Sequence, residues 1–197
     1  TAESNLAPKP ANISFEAAAA VPVVAFTALQ GLRDKGQIQS GQKVLINSAS
    51  GGVGTFAVQI AKSFGAEVTA VCSTRNLDTA RSIGADHVID YTREDFTRSG
   101  QRYDLILGAN AYHSVLDYRR ALSRGGIYVA AGGGGSQNLL GILLGTLLQS
   151  LLSLIGSKKI RGFIANLNKK DLDSLKDLLA AGKLVSVIDR RYPLADV

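Results

Sequence analysis

A doubly wound α/β fold on a six-stranded parallel sheet is what this sequence predicts, and three observations predict it. Short apolar runs with β-branched members alternate with segments of helical periodicity, most of the runs read as apolar on both faces, and a glycine cluster joins the first run to the helix after it. Strands of this kind must lie parallel, because each crossover helix returns the chain to the same edge. Ligands are then expected beyond the carboxyl ends of the strands.

Taken in order, Ser14 caps a helix that runs through the alanines to about Lys35. Pro22 removes a backbone donor and bends its axis, and Gly36 ends it. Lys43 to Asn47 is the first strand, followed by Ala49-Ser-Gly-Gly-Val-Gly54 and a helix carrying Phe56, Ala57, Val58, Ile60, Ala61 and Phe64 up to Gly65. The alternation continues with strands over Glu67 to Cys72, His87 to Asp90, Tyr103 to Gly108 and Gly126 to Ala131, and with helices over Leu77 to Ile83 and Ser114 to Leu122. Residues 139 to 155 carry no charge but fall short of the ~20 apolar residues of a spanning helix, and they are expected as a buried helix. A strand over Ile160 to Ala165 precedes a helix capped by Asn168, whose Leu172, Leu175, Leu178 and Leu179 share one face before Gly182.

Composition narrows the classes. Of 197 residues 46% are apolar and 19% charged, with 21 Gly and 4 Pro, which excludes a disordered, collagen-like or coiled-coil chain. The single Cys72 excludes an internal disulfide framework and any zinc site built from several thiolates. With only His87 and His113 besides, no metal is expected, and a reducing, cytoplasmic setting is. The net charge of +6 attracts anions, but the basic pairs are scattered without interleaved aromatics, so nucleic acid is not an expected partner, and neither is a membrane.

Ala49-x-Gly51-x-x-Gly54 has the dinucleotide-binding spacing, with alanine in the first place, between a strand and a helix. Gly51 lets the backbone approach a pyrophosphate, Gly54 lets the helix sit close on the strand, and the amides of Gly52 and Val53 face the anion while Ser50 adds a hydroxyl. The plainer alternative is a turn that needs glycines only to fold. About 20 residues further on, where an acid would grip a ribose 2′-hydroxyl, stand Ser73, Thr74 and Arg75. No carboxylate stands there to repel a 2′-phosphate, and the planar fork of Arg75 suits one, so NADP(H) is the expected cofactor; a solvated loop arginine is the other reading. No Tyr-x-x-x-Lys and no Gly-x-Ser-x-Gly occurs, which sets aside the short-chain dehydrogenases and the serine nucleophile elbow.

These residues resemble a known family, the medium-chain dehydrogenase/reductases, and within it the zinc-independent quinone reductase branch that includes zeta-crystallin. The resemblance is carried by Ser14-Phe-Glu-Ala-Ala-Ala-Ala with Thr27-Ala-Leu, by the glycine segment Ser48 to Lys62, by Gly84-Ala-Asp-His-Val-Ile-Asp-Tyr91 and by Gly125-Gly126. It implies a Rossmann-type domain in which Ser50, Gly51, Gly52 and Val53 contact the pyrophosphate and Ser73, Arg75 and Tyr91 surround the adenosine end. Tyr91 could equally be an ordinary strand-end aromatic. It further implies that Asn110 lies beside the adenine and ribose, that Gly132 and Gly133 pass the nicotinamide ribose, and that the backbone of Phe163 and Ile164 meets the carboxamide. Thr27 would lie near the nicotinamide, or simply pack within its helix.

The resemblance also implies a division of the chain: residues 1–12 as a linker from a GroES-like substrate domain outside this sequence, 13–185 as the NADP-binding domain, and 186–197 as the start of a return to the other domain. NADPH held here would deliver hydride to a quinone, enal or enone bound by that domain, with no catalytic residue assignable in this chain, which is expected to be inactive alone. A homo-oligomer is expected. The alternative function is a non-catalytic NADPH-binding sensor or structural module of the same fold.

Overall fold

Ser14 opens the helical region as expected, its Oγ accepting the Ala17 N–H at 3.2 Å, but the first helix, α1, covers only Phe15–Ala19. Pro22 does not bend a continuous helix. It starts a second one, α2 (Pro22–Gln30), at the first helical position, where its missing N–H would have had no partner anyway. A wider π-type turn over Gly31–Lys35 follows, closed by the Gly36 N–H on the Gly31 carbonyl at 2.8 Å. This structure, a computed structural model, describes residues 6–110, 113–131, 157–193 and 195. The expected helix over 139–155 lies outside the described residues, as do Gly132 and Gly133.

The strands are β1 (Lys43–Asn47), β2 (Glu67–Cys72), β3 (His87–Asp90), β4 (Tyr103–Gly108), β5 (Leu122–Ala130) and β6 (Lys159–Gly162). They form one sheet in the order β3-β2-β1-β4-β5-β6, every neighbouring pair parallel. The remaining helices are α3 (Gly52–Ser63), α4 (Leu77–Ser82), α5 (Val115–Ala121) and α6 (Lys169–Ala180). Two strands differ from expectation. β5 starts at Leu122 rather than Gly126, because Tyr103 pairs with Leu122 before the register shifts and Leu105 takes Ile127. β6 stops at Gly162, since among the described residues its one neighbour, β5, offers it partners from Ile127 to Ala130 alone.

Alternation along each strand feeds two cores. Val44 and Ile46 of β1, with Leu105 and Leu107 of β4, pack with Phe26 of α2, Phe56 and Val58 of α3 and Leu175 and Leu179 of α6. Leu45 and Ile106 point to the opposite face, onto Phe96, Tyr118 of α5 and Tyr128 of β5. Both faces are therefore covered, the condition under which a parallel sheet is stable. Asn168 caps α6 by accepting the Asp171 N–H at 2.9 Å, and on the leucine face of that helix Leu175 and Leu179 are buried while Leu172 and Leu178 are half-buried against the same core. Among the described residues no helix is long and apolar enough to cross a membrane.

Candidate functional site

The strand order reverses between β1 and β4, and the glycine turn sits at that switch point, where an open α/β sheet leaves a crevice beyond its strand ends. β1 ends at Asn47; Ser48 then takes a left-handed φ of 64°, and the Ala49 N–H extends the pairing to the Val71 carbonyl at 2.9 Å. Gly51 is the extended cap residue of α3 and Gly52 its first helical residue, with no side chain capping the helix start. No hydrogen bond within the described residues occupies the amides of Gly52 and Val53, which is the normal state of a helix N-terminus that meets its acceptor in a ligand. Ser50 is exposed beside them.

The three glycines have three different jobs. A Cβ on Gly54 would fall 2.1 Å from the Ser48 carbonyl oxygen and 2.6 Å from the Ala49 Cα, so α3 can rest on the strand end only with glycine there. A Cβ on Gly52 would fall 2.9 Å from Cγ1 of Val24, which makes Gly52 the crossing point of α3 over α2, a packing role that spacing alone does not reveal. At Gly51 the nearest atom is the Ser48 oxygen at 3.6 Å, an ordinary contact. Among the described residues no close contact requires glycine at 51. A Cβ there would make only that ordinary contact, beside an uncapped helix start at the switch point, so the residues present fit a pyrophosphate laid against the turn.

Ser73 and Thr74 follow β2, with Ser73 Oγ accepting from Asn76 Nδ2 at 3.1 Å at the start of a short turn over Thr74–Asn76. Arg75 in that turn is exposed and makes no ion pair with any described residue. The expectation that this corner lacks a carboxylate is corrected by the sheet register. Cys72 is level with Asp90 of β3, which brings Asp90 to the same corner, 6% exposed. Its oxygens accept from the Thr74 hydroxyl, from Thr92 Oγ1 at 2.7 Å and from Thr92 N at 3.0 Å. Those hydroxyl bonds, Thr74 first and Thr92 next, hold its carboxyl below the usual carboxylate range. Tyr91, 54% exposed, comes next, its N–H on the Cys72 carbonyl at 3.2 Å.

Asn110 lies just past β4, and its carbonyl accepts from Nδ2 of Asn47, the residue before the glycine turn, at 3.0 Å. Phe163 follows β6 and is half-buried in the first core, its ring 3.3 Å from where a Cβ on Gly31 would stand, whereas Ile164 is 95% exposed. Gln30 anchors the segment after them: it accepts from Asn166 N at 2.9 Å and donates to Asn166 O and to Asp171 Oδ2, both at 2.7 Å. Arg33 closes this network on Asp171 at 2.8 Å. Burial pushes the Asp171 carboxyl up, but the bonds from Arg33, Asn168 and Gln30 outweigh it and leave it below its ordinary value. Thr27 donates its hydroxyl to the Val23 carbonyl within α2 at 2.8 Å.

Ser50 to Val53, Ser73 to Arg75, Tyr91, Asn110 and Phe163 thus all follow strand carboxyl ends, at one edge of the sheet. His87 and Glu67, paired at 2.9 Å, open β3 and β2 at the opposite edge, while His113 stands just before the α5 cap, 3.8 Å from Asp95. No three of the described His, Cys, Asp and Glu side chains gather as a metal-ligand set, so these residues do not fit a zinc ion.

The sequence and the fold also match known proteins. The family described as zinc-binding dehydrogenase matches residues 83–197. "NAD(P)H oxidoreductase RTN4IP1, mitochondrial" of Mus musculus is 33% identical over 210 residues, covering 96% of this chain and 52% of that protein. "Chloroplast envelope quinone oxidoreductase homolog" of Arabidopsis thaliana is 30% identical over 196 residues, covering 95% and 57%. The crystal structure of JamJ enoyl reductase superposes with a TM-score of 0.80 at 26% identity, covering 100% of this chain and 61% of that one. The chain spans about half the length of the curated relatives it matches. With its strand order, its glycine turn and these matches, the chain belongs to the zinc-binding dehydrogenase family of the medium-chain dehydrogenase/reductases and forms a quinone-reductase-like domain of it.

Proposed function

We propose that this chain is the cofactor-binding domain of an NADPH-dependent oxidoreductase that reduces a quinone or an α,β-unsaturated carbonyl. The observation that carries the reading is the uncapped start of α3 at the switch point of the sheet, where no described residue occupies the amides of Gly52 and Val53 and no close contact demands the glycine at 51. The names of the relatives, an NAD(P)H oxidoreductase, a quinone oxidoreductase homolog and an enoyl reductase, support the reaction class.

The bound nicotinamide supplies hydride. The chain's own work is positional: the amides of Gly52 and Val53 and the Ser50 hydroxyl hold the pyrophosphate, and Arg75 with Ser73 and Tyr91 holds the adenosine end. Asn110 lines the ribose side, and the Phe163–Ile164 backbone, steadied by the Gln30–Asn166 bonds, borders the nicotinamide end. Such fixing of the reacting atoms is most of what catalysis asks of a cofactor domain. We assign residues 13–185 to this domain and the acceptor site to a further, GroES-like domain of the whole protein, working without zinc. The single buried Cys72 suits a reducing compartment, cytosolic or organellar.

Steady-state NADPH oxidation with a panel of quinones and enals tests the reading, run on this chain and on the protein extended to the length of its relatives. Turnover by the extended protein and background rates from the chain alone are expected. Binding of NADPH without turnover in either form would point instead to a sensor or structural module.

A further inference from the structure

Arg93 is not among the residues that the glycine spacing or the resemblance points to, yet its Nε lies 3.5 Å from Asp90 Oδ2, the oxygen that also accepts from the hydroxyl of Thr74, the residue before Arg75. Because β2 and β3 are parallel and Cys72 is level with Asp90, the turns that leave the two strands run together. The hydroxyls of Thr74 and Thr92 lie 3.3 Å apart, which puts the residues that follow them, Arg75 and Arg93, on the two sides of one corner. The Arg93 side chain is 76% exposed, and its ion pair to Asp90 is long, 3.5 Å. The Asp90 oxygens already accept three bonds from Thr74 and Thr92, so this carboxylate is poorly placed to take a ribose hydroxyl and does not depend on Arg93 for its satisfaction. Asp78, the acid that follows Arg75 by three residues, is paired with Arg81 at 2.8 Å.

We infer that Arg93 is a second specificity-determining residue, which leaves its exposed contact with Asp90 and joins Arg75 in clasping the 2′-phosphate of NADPH between the ends of β2 and β3. A phosphate monoester carries a charge of about −1.5 to −2 near neutral pH and offers three acceptor oxygens. Two guanidinium forks approaching from neighbouring strand ends match that group better than one. The inference rests on the proposed NADPH reading and adds to it the residue that would sharpen the choice against NADH.

Adenosine 2′,5′-bisphosphate and 5′-AMP isolate the 2′-phosphate without the nicotinamide, and their calorimetric affinities give one ratio for each protein. The unmodified chain is expected to favour the bisphosphate. Arg93→Ala should lower the ratio about ten-fold with 5′-AMP affinity unchanged, and Arg93→Lys should restore part of it. A ratio unmoved by Arg93→Ala but collapsed by Arg75→Ala overturns the inference and leaves the cofactor reading intact. Equal affinity of the unmodified chain for the two probes overturns the inference and the NADPH preference together, and failure to bind either probe overturns the cofactor reading itself.

Discussion

Asn47 and Tyr118 meet beneath the carboxyl edge of the sheet, Nδ2 of the asparagine donating to the tyrosine hydroxyl at 2.6 Å. The same Nδ2 reaches the Asn110 carbonyl, so the last residue of β1 ties the glycine turn to α5 and to the chain leaving β4. Tyr118 stacks on Tyr128 with ring centroids 4.2 Å apart, and burial pushes the Tyr128 phenol well above its ordinary value. Tyr118→Phe keeps the stack and removes the acceptor. It should cost about 1 kcal/mol, read as a fall of roughly 2–4 °C in Tm for a domain of this size.

Gly54 faces a harder constraint, because the atoms a side chain would strike are backbone. Gly54→Ala should destabilise the domain by ~3 kcal/mol or more, the upper end of overpacking costs, since the start of α3 has to move. Gly52→Ala meets a valine methyl rather than backbone and should cost roughly 1 kcal/mol. Denaturant titration of the two variants checks the order.

Arg33 supports Asp171, which is only 2% exposed. Arg33→Ala leaves the carboxylate with the Gln30 and Asn168 donors. Because Arg33 is itself about one-third exposed, the expected loss is about 1–3 kcal/mol, below that of a fully buried pair. A double-mutant cycle with Asp171→Asn should show a combined loss smaller than the sum of the single losses.

The pH dependence follows from the signs of the shifts. Asp86, Asp90, Asp95, Asp117 and Asp171 all have carboxyls held below their ordinary value. Their contribution is present above the unfolded-state pKa of ~3.9 and is lost as pH falls through the lower folded values. Burial raises Tyr103 and Tyr128, whose contribution is present below ~10 and lost as pH rises beyond it. Tm should stay nearly level between about pH 5 and 9 and fall on both sides; a maximum below pH 4 would contradict these directions.

Much of the fold was legible because its signals are local. Ser14 and Asn168 cap helices by the chemistry of their own side chains, and the alternation of Val44, Leu45 and Ile46 reads directly as a strand buried on both faces. The role of Gly54 also follows from its spacing. What sequence could not show depends on distant partners. Gly52 packs closely because α2 crosses there, Asp90 reaches the corner after β2 through the β2–β3 register, and β5 begins at Leu122 because Tyr103 is opposite. Asp90 stood within the family-like run Gly84 to Tyr91, so its identity was visible and only its neighbourhood was hidden.

The central claim is that a dinucleotide pyrophosphate lies against Gly51, and calorimetric titration of NADPH into the unmodified chain and into Gly51→Val tests it most directly. Since a Cβ at 51 would meet the described residues only in an ordinary contact, 3.6 Å from the Ser48 oxygen, the variant should fold as the unmodified chain does by circular dichroism and thermal melting. It should lose NADPH binding at least 100-fold, about 2.7 kcal/mol or more, because the side chain occupies the ligand's place. A folded Gly51→Val that binds NADPH with unchanged Kd would contradict the account.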